Sequence, residues 1–290
     1  MVQTAIEGIS RVLTRRVPRV ATGLAREAGW VTAHLIAYPF GLLGESNTKP
    51  DHRHSLGGMN LHQRSLVHYA VDAAATPILL VHGIVDNHTI FDPLERALRR
   101  RGFTDLSSFD YGLLTTDVRA TALDLATAVE RLVAESGYEK IHVIGHSLGG
   151  LISRYYVQRM GGHERVHTLV TLGTPHQGSA LARVGSMLPL VRQLRPDSDL
   201  IAELNEPAPS CDTRFLAFHS DLDQLIVPSR NARIEHPDLR VRNVPVHGIG
   251  HMSLTNDRGI AFQIAAALAQ LDDQVEFDPH EATVAGSLVD

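Results

Sequence analysis

The chain has 290 residues, which is enough for one large α/β domain with a short appendage. Hydrophobic residues make up 43% and charged residues 20%, as in ordinary soluble globular proteins, and the formal net charge of −5 argues against a nucleic-acid-binding protein. The single cysteine, Cys211, excludes an internal disulfide, so the fold has to be stabilised by its core alone.

Residues 1–50 carry arginines among apolar residues, and we predict an N-terminal helical appendage and linker here. The apolar stretch 30–43 contains His34 and Pro39 and is too short to span a bilayer. The region fits a secretory signal peptide poorly, because its basic part is long and no small-x-small cleavage site follows. Two interpretations remain open: helices packed on the main domain, which we favour, or a basic amphipathic segment that contacts a membrane surface. A cytoplasmic or membrane-associated location is favoured over secretion.

Short apolar runs then alternate with helical patterns. In chain order we predict an edge strand over 66–70, a buried strand over 77–81, a helix over 93–101 and a strand over 108–111. From Val118 to Val133 apolar residues recur at helical spacing, and Asp117 can cap the start of this helix while Gly137 ends it.

The stretch KIHVIGHSLGGL, residues 140–151, contains the motif G-x-S-x-G between a buried strand and a helix. In this setting the motif predicts a sharp turn that lifts the hydroxyl of Ser147 clear of the sheet. Gly145 and Gly149 let the strand and the helix pass close to each other without a Cβ clash. A glycine-rich turn without chemistry is the alternative, and the strand–turn–helix context favours a nucleophile.

The remaining predicted elements are a buried strand over 166–172, strands over 213–219 and 240–244, and a closing helix over 260–271. Strands that alternate with helices at such short spacing predict an α/β fold with a mostly parallel, doubly wound sheet flanked by helices. We therefore assign residues 51–272 to one catalytic domain with a cap insertion at about 175–212, and residues 273–290 to a C-terminal tail.

A serine nucleophile needs a histidine that removes its proton and an acid that orients the histidine. The acid should follow the strand over 213–219, where Asp221 and Asp223 compete; we favour Asp223 because it lies just before an Ile-Val-Pro run. The base should follow the last strand, where His247 and His251 compete. We favour His251, which follows a flexible glycine-containing loop and lies nearer the closing helix.

An oxyanion hole needs two backbone N–H groups near the nucleophile. One should belong to Leu148, the residue directly after Ser147. The other should belong to Ile84, in the loop after the strand that ends in His82-Gly83.

Five segments together resemble a known family. VHGIVDN, GHSLGGL, LGTPHQGS, the D-x-x-I-V-P segment and GIGH occur in the order found in bacterial lipases and esterases of the α/β-hydrolase fold. The resemblance covers about residues 76–271. It implies the triad Ser147, Asp223 and His251, with Ile84 and Leu148 at the oxyanion hole. Residues 1–50 have no counterpart in the smallest such lipases. The calcium site of some larger relatives has no recognisable match, so we predict no metal and no cofactor.

Apolar residues near the predicted site suggest an acyl pocket beneath a small lid. The candidates come from the loop after the strand over 108–111 and from the cap insertion: Tyr111, Leu113, Leu181, Val184, Met187 and Leu188. The alternative is that the cap residues are simply the buried face of a helix packed on the sheet.

The predicted activity is hydrolysis of carboxylic esters with medium or long acyl chains through an acyl-enzyme intermediate. The expected partner is a lipid or other apolar ester, with possible membrane-surface contact through residues 1–50 and no nucleic acid. An acyltransferase or thioesterase would use the same triad. A non-catalytic binding protein of the same fold is disfavoured, because every triad position is filled.

Overall fold

The computed structural model describes residues 71–84, 87–112, 115–183 and 188–269. Several predictions lie outside these ranges: the appendage over 1–50, the edge strand over 66–70, the tail over 273–290, and the pocket residues Leu113, Val184 and Met187. No helix within the described ranges is long and apolar enough to cross a membrane.

The described strands form one parallel sheet of six strands in the order β2-β1-β3-β4-β5-β6. In chain order they are β1 (Ile78–Val81), β2 (Leu106–Phe109), β3 (Ile141–His146), β4 (Val166–Leu172), β5 (Arg214–Ser220) and β6 (Arg240–Val246). The chain runs outward from β1 to β2 and then returns past β1 to β3. The strand order therefore reverses between β1 and β3, and in such sheets the crevice beyond the carboxyl ends at this point binds ligands.

Helices cover both faces of the sheet. Within the described ranges, in chain order, the α-helices are α1 (Val71–Ala75), α2 (Asp92–Arg99), α3 (Val118–Ser136), α4 (Leu148–Arg159), α5 (Pro189–Gln193), α6 (Asp199–Leu204) and α7 (Arg258–Ala269). The apolar faces of α3, α4 and α6 form one core layer with the sheet. Those of α2 and α7 form the other layer on the opposite face. The doubly wound architecture predicted from the sequence is confirmed.

The caps of α3 are those predicted from the sequence. The side chain of Asp117 accepts a hydrogen bond from the Arg119 N–H, and Gly137 has a left-handed φ of 77° that ends the helix. The other predicted strands and helices agree with the structure to within two residues where they are described.

One expectation needs correction. Strand β2 ends at Phe109 and does not reach residue 111, because Asp110 and Tyr111 turn away to bond the loop after β1. In the cap, the described residues form a 3-10 turn, Ala180–Arg183, and the short helix α5, which begins at Pro189 because proline suits the first position of a helix.

Candidate active site

Ser147 occupies a sharp turn between β3 and α4. Its backbone has φ 53° and ψ −121°, and it is the one residue other than glycine with a positive φ within the described ranges. Such a conformation is strained for a residue with a side chain, and strain of this kind is common at functional sites. The Ser147 N–H donates to the carbonyl of Leu172 over 2.9 Å, which fixes the turn to the end of β4.

Gly149 allows α4 to start directly against β1. A Cβ at this position would lie 2.1 Å from the carbonyl oxygen of Val81 and 2.3 Å from that of His82. A larger residue would therefore push the first turn of α4 away from the loop after β1. The close approach brings Ser147 and that loop to the same point of the sheet edge.

Asp223 and His251 form a buried carboxylate–imidazole pair. Oδ2 of Asp223 lies 2.7 Å from Nδ1 of His251, and the two side chains are 0% and 4% exposed. The second carboxylate oxygen accepts hydrogen bonds from the backbone N–H groups of Leu225 and Ile226, at 2.9 and 3.1 Å. These bonds hold Asp223 as an acceptor for Nδ1–H, so Nε2 is the basic nitrogen of the neutral imidazole.

The competing residues Asp221 and His247 pair with each other. Oδ2 of Asp221 lies 2.9 Å from Nδ1 of His247, with side chains 58% and 73% exposed. Oδ1 of Asp221 accepts from the Gly248 N–H at 2.9 Å. Both pairs join the loop after β5 to the loop after β6, and Asp223–His251 is the one that is shielded from water.

His251 lies beside the turn that carries Ser147. The rings of His146 and His251 are 4.9 Å apart between centroids, and Nε2 of His146 is 3.3 Å from the carbonyl oxygen of His251. A Cβ on Gly173 would lie 3.0 Å from both Nδ1 of His251 and Oδ2 of Asp223. Leu172, which precedes Gly173, accepts the hydrogen bond from the Ser147 N–H. The segments that carry Ser147, Asp223 and His251 are therefore adjacent at one edge of the sheet.

The backbone groups predicted for an oxyanion hole belong to the start of α4 and to the loop after β1. Leu148 is the first residue of α4, where backbone N–H groups have no partner within the helix. Ile84 lies in the loop after β1 with 38% of its surface exposed. Through Gly149, the start of α4 contacts the carbonyl of His82, two residues before Ile84.

Tyr111, predicted to line the pocket, uses its hydroxyl for the loop after β1. The hydroxyl lies 2.8 Å from the carbonyl oxygen of His82 and 2.9 Å from that of Gly83. Its ring stacks on the His82 imidazole with centroids 4.2 Å apart. Of the other described pocket candidates, Leu181 and Leu188 are 44% and 61% exposed, so they do not form the buried face of a helix.

Sequence reasoning missed Arg154, which is fully buried on α4. Its guanidinium donates to the carbonyls of His176 and Leu204, at 3.2 and 2.9 Å, and to Oε1 of Gln158 at 3.0 Å. Burial lowers the pKa of Arg154 to about 9. Burial, and secondarily the charge of Arg154, lowers the pKa of His176 well below its ordinary value. Arg154 thus joins α4 to the loop after β4 and to α6. In the sequence, the only signal of this role was a lone arginine in an apolar helix pattern.

No group of three or more histidine, cysteine or acidic side chains within the described residues could hold a metal ion. The groups that the site presents are a hydroxyl, an imidazole, a carboxylate and backbone N–H groups.

A sequence model of the alpha/beta hydrolase fold matches residues 76–233, slightly more than half of the chain. The chain belongs to the α/β-hydrolase family. The matched segment of this hydrolase contains Ser147, Asp223 and Ile84, and it ends before the loop that carries His251.

Sequence relatives of this α/β-hydrolase include two triacylglycerol lipases. Those of Pseudarthrobacter phenanthrenivorans and Burkholderia plantarii are each 29% identical over 119 residues, which is 38% of this chain and 36% and 32% of theirs. The chain thus spans about a third of the length of these curated relatives.

Among solved structures, a Bacillus licheniformis lipase in its mature form matches 68% of this hydrolase and 93% of its own chain, with a TM-score of 0.56 and 19% identity. Aspergillus fumigatus lipase B matches 67% of this chain and 52% of its own, with a TM-score of 0.58 and 16% identity. At these identities the likeness establishes the fold.

Proposed function

We propose that this α/β-hydrolase is a lipase or esterase that cleaves carboxylic esters with Ser147 as nucleophile, His251 as base and Asp223 as acid. The observation that carries the proposal is the buried 2.7 Å contact between Asp223 and His251, beside the strained turn of Ser147. In a serine hydrolase a buried carboxylate at this distance orients the imidazole and stabilises its charged form. The lipases among its relatives support the ester as the substrate class.

The first half of the reaction acylates the enzyme. Nε2 of His251 removes the hydroxyl proton of Ser147 as Oγ attacks the ester carbonyl carbon, and the π electrons move to the carbonyl oxygen. The N–H groups of Leu148 and Ile84 stabilise the resulting oxyanion. When the carbonyl re-forms, the alkoxide leaves and takes the proton from the imidazolium, which gives the alcohol and acyl-Ser147.

The second half returns the enzyme to its starting state. Water attacks the acyl carbon while His251 accepts one of its protons. Collapse of the second oxyanion breaks the bond to Oγ, which takes the proton back, and the carboxylic acid is released. Asp223 stays ionised throughout and holds the imidazole in the tautomer with Nδ1–H.

Exposed apolar side chains near the acid loop support a medium or long acyl chain. Leu181, Leu225 and Val227 are 44%, 53% and 40% exposed. Their segments are held together, because the hydroxyl of Ser179 donates to the Leu225 carbonyl at 2.8 Å and accepts from the Val227 N–H at 3.0 Å. Exposed apolar side chains of this kind bind a hydrocarbon chain more favourably than a polar acyl group. Contact with a lipid surface through residues 1–50 is part of the same proposal.

The test is ester hydrolysis by the wild type and by Ser147→Ala on p-nitrophenyl esters of graded chain length. The variant should lose at least about 10³-fold in kcat, because the remaining groups cannot form an acyl-enzyme. Ser136→Ala, which removes a hydroxyl at the far end of α3, should keep wild-type rates. Equal turnover by wild type and Ser147→Ala would contradict the proposal, and so would a wild-type enzyme that a fluorophosphonate does not label.

A further inference from the structure

We infer that Tyr111 is a positioning residue for the oxyanion hole, and that its hydroxyl sets the direction of the Ile84 N–H. This inference rests on the proposed function, since it assigns a role in the same site. It is distinct from the sequence-based expectation that Tyr111 lines the acyl pocket, which stays a prediction.

A single peptide group links Tyr111 to Ile84. The carbonyl of Gly83 and the N–H of Ile84 belong to one planar trans peptide, in which the C=O and N–H bonds point in opposite directions. Whatever holds the carbonyl oxygen of Gly83 therefore also aims the N–H of Ile84. The hydroxyl of Tyr111 lies 2.9 Å from that oxygen.

A second donor approaches the same carbonyl. Nδ1 of His82 lies 2.9 Å from the oxygen of Gly83, while Nε2 of His82 accepts from the Tyr111 N–H at 3.3 Å. A neutral imidazole that accepts at Nε2 carries its proton on Nδ1, so Nδ1 is the donor to Gly83. Tyr111 thus contacts this peptide directly through its hydroxyl, and its N–H bonds the imidazole that lies against the same carbonyl.

The hydroxyl also bonds the preceding peptide. The carbonyl oxygen of His82 lies 2.8 Å from it, so the single proton is shared between two carbonyls. Stacking of the Tyr111 ring on the His82 ring, at 12° between the planes, keeps the hydroxyl in place. Donors on a carbonyl also polarise its peptide, which makes the N–H at the other end a stronger donor.

Tyr111 follows β2 by two residues, and the pairing of β1 with β2 brings it beside the loop after β1. Strands β1 and β2 pair side by side up to Val81 and Phe109, so the residues that follow them leave the sheet together. A side chain from the loop after β2 then bonds two backbone carbonyls of the loop after β1.

The experiment compares Tyr111→Phe with Tyr155→Phe. Both changes delete one hydrogen-bonded hydroxyl from a half-buried tyrosine; that of Tyr155 bonds Oε2 of Glu203 at 2.8 Å, on the side of α4 that faces α6. We expect Tyr111→Phe to lower kcat about tenfold, because a loosened oxyanion donor acts on the transition state alone. KM should stay within about twofold of wild type, and the loss should be the same for short and long acyl chains. Tyr155→Phe should keep the wild-type kcat.

Two outcomes would overturn the inference while leaving the proposed function intact: an unchanged kcat in Tyr111→Phe, or a change confined to KM and to long-chain esters, which indicates a pocket residue. Thermal unfolding of each variant establishes that it is folded. Tyr111→Leu removes the ring as well and should lose at least as much kcat. Either variant therefore tests the inference if it is folded. Failure of the proposed function is a separate result, read from the wild type and Ser147→Ala.

Discussion

Asp221 and His247 form an exposed copy of the contact that Asp223 and His251 form in the interior. The copy arises because β5 and β6 are parallel and in register up to Ser220 and Val246, so the loops that follow them leave the sheet side by side. Asp221 and Asp223 on the first loop then contact His247 and His251 on the second. Burial is what separates the two pairs, since a carboxylate interacts strongly with an imidazole only where water does not screen it.

The first prediction compares the two acids. Asp223→Asn should lower kcat by roughly 10³-fold or more, because an amide can donate to Nδ1 and so favours the tautomer in which Nε2 carries the proton. Asp221→Asn changes an exposed pair and should lower kcat by less than about tenfold. Both are measured as kcat on one p-nitrophenyl ester with far-UV circular dichroism as a check of folding. A larger loss of kcat in Asp221→Asn than in Asp223→Asn would contradict the assignment of Asp223 as the acid.

The sequence alone predicted the parts of the site that depend on local geometry. The turn at Ser147 follows from glycines within a few residues of it, and the ends of α3 follow from Asp117 and Gly137. The choice between Asp221 and Asp223 could be favoured by position, but the difference in burial that supports it comes from packing between distant segments.

What the sequence did not predict depends on contacts between residues far apart in the chain. Tyr111 bonds Gly83, which lies 28 positions earlier, so no local sequence pattern around Tyr111 predicts the contact. Helix α6 has only six residues, too short to be stable by itself. It is held by Arg119, which bonds Glu203 at 2.6 Å, and by Arg154 and Gln158, which both donate to the Leu204 carbonyl at 2.9 Å.

The second prediction separates backbone strain from contact with the site at two glycines. Gly173 and Gly161 have φ of 55° and 75°, so alanine at either position should lower the free energy of unfolding by about 1 kcal/mol. A Cβ at Gly161 would meet no atom within 4 Å, whereas one at Gly173 would lie 2.8 Å from Cδ1 of Leu254 and 3.0 Å from Nδ1 of His251.

Gly173→Ala should therefore also lower kcat, by about tenfold or more, because the His251 ring must shift to make room. Gly161→Ala should retain the wild-type kcat. Urea unfolding and ester hydrolysis on the same preparations give both quantities. If the two variants lost activity in proportion to stability alone, the close packing of Gly173 against the acid–base pair would have no part in catalysis.

The third prediction concerns His142, a buried residue of β3 that takes no part in the proposed reaction. Its side chain is 0% exposed and neither ring nitrogen has a hydrogen-bond partner among the described residues. Burial, with smaller contributions from His167 and Arg214, lowers the pKa of His142 to about 3. The imidazole is therefore neutral in the folded protein at pH values where the unfolded chain already binds a proton.

The sign of the pH dependence follows from this difference. Between pH 6.5 and about 3 the unfolded chain binds more protons at this position than the folded protein does, so acid lowers the free energy of unfolding. Below about pH 3 both states are protonated, and above pH 6.5 neither is. The contribution of one such group cannot exceed about 1.4 kcal/mol per pH unit.

His142→Phe keeps a ring in the same space and removes the titration. Urea unfolding of wild type and variant at pH 4.5, 5.5 and 8 should give a difference in the free energy of unfolding that moves in favour of the variant as the pH falls, by on the order of 1 kcal/mol per unit. The value at pH 8 is the internal control, because the residue is neutral in both states there and the remaining difference reports packing and the removal of two ring nitrogens that are unpaired among the described residues. Parallel pH profiles of the two proteins would mean that protonation of His142 does not oppose folding, and that the acid sensitivity of this hydrolase comes from other buried groups such as His176.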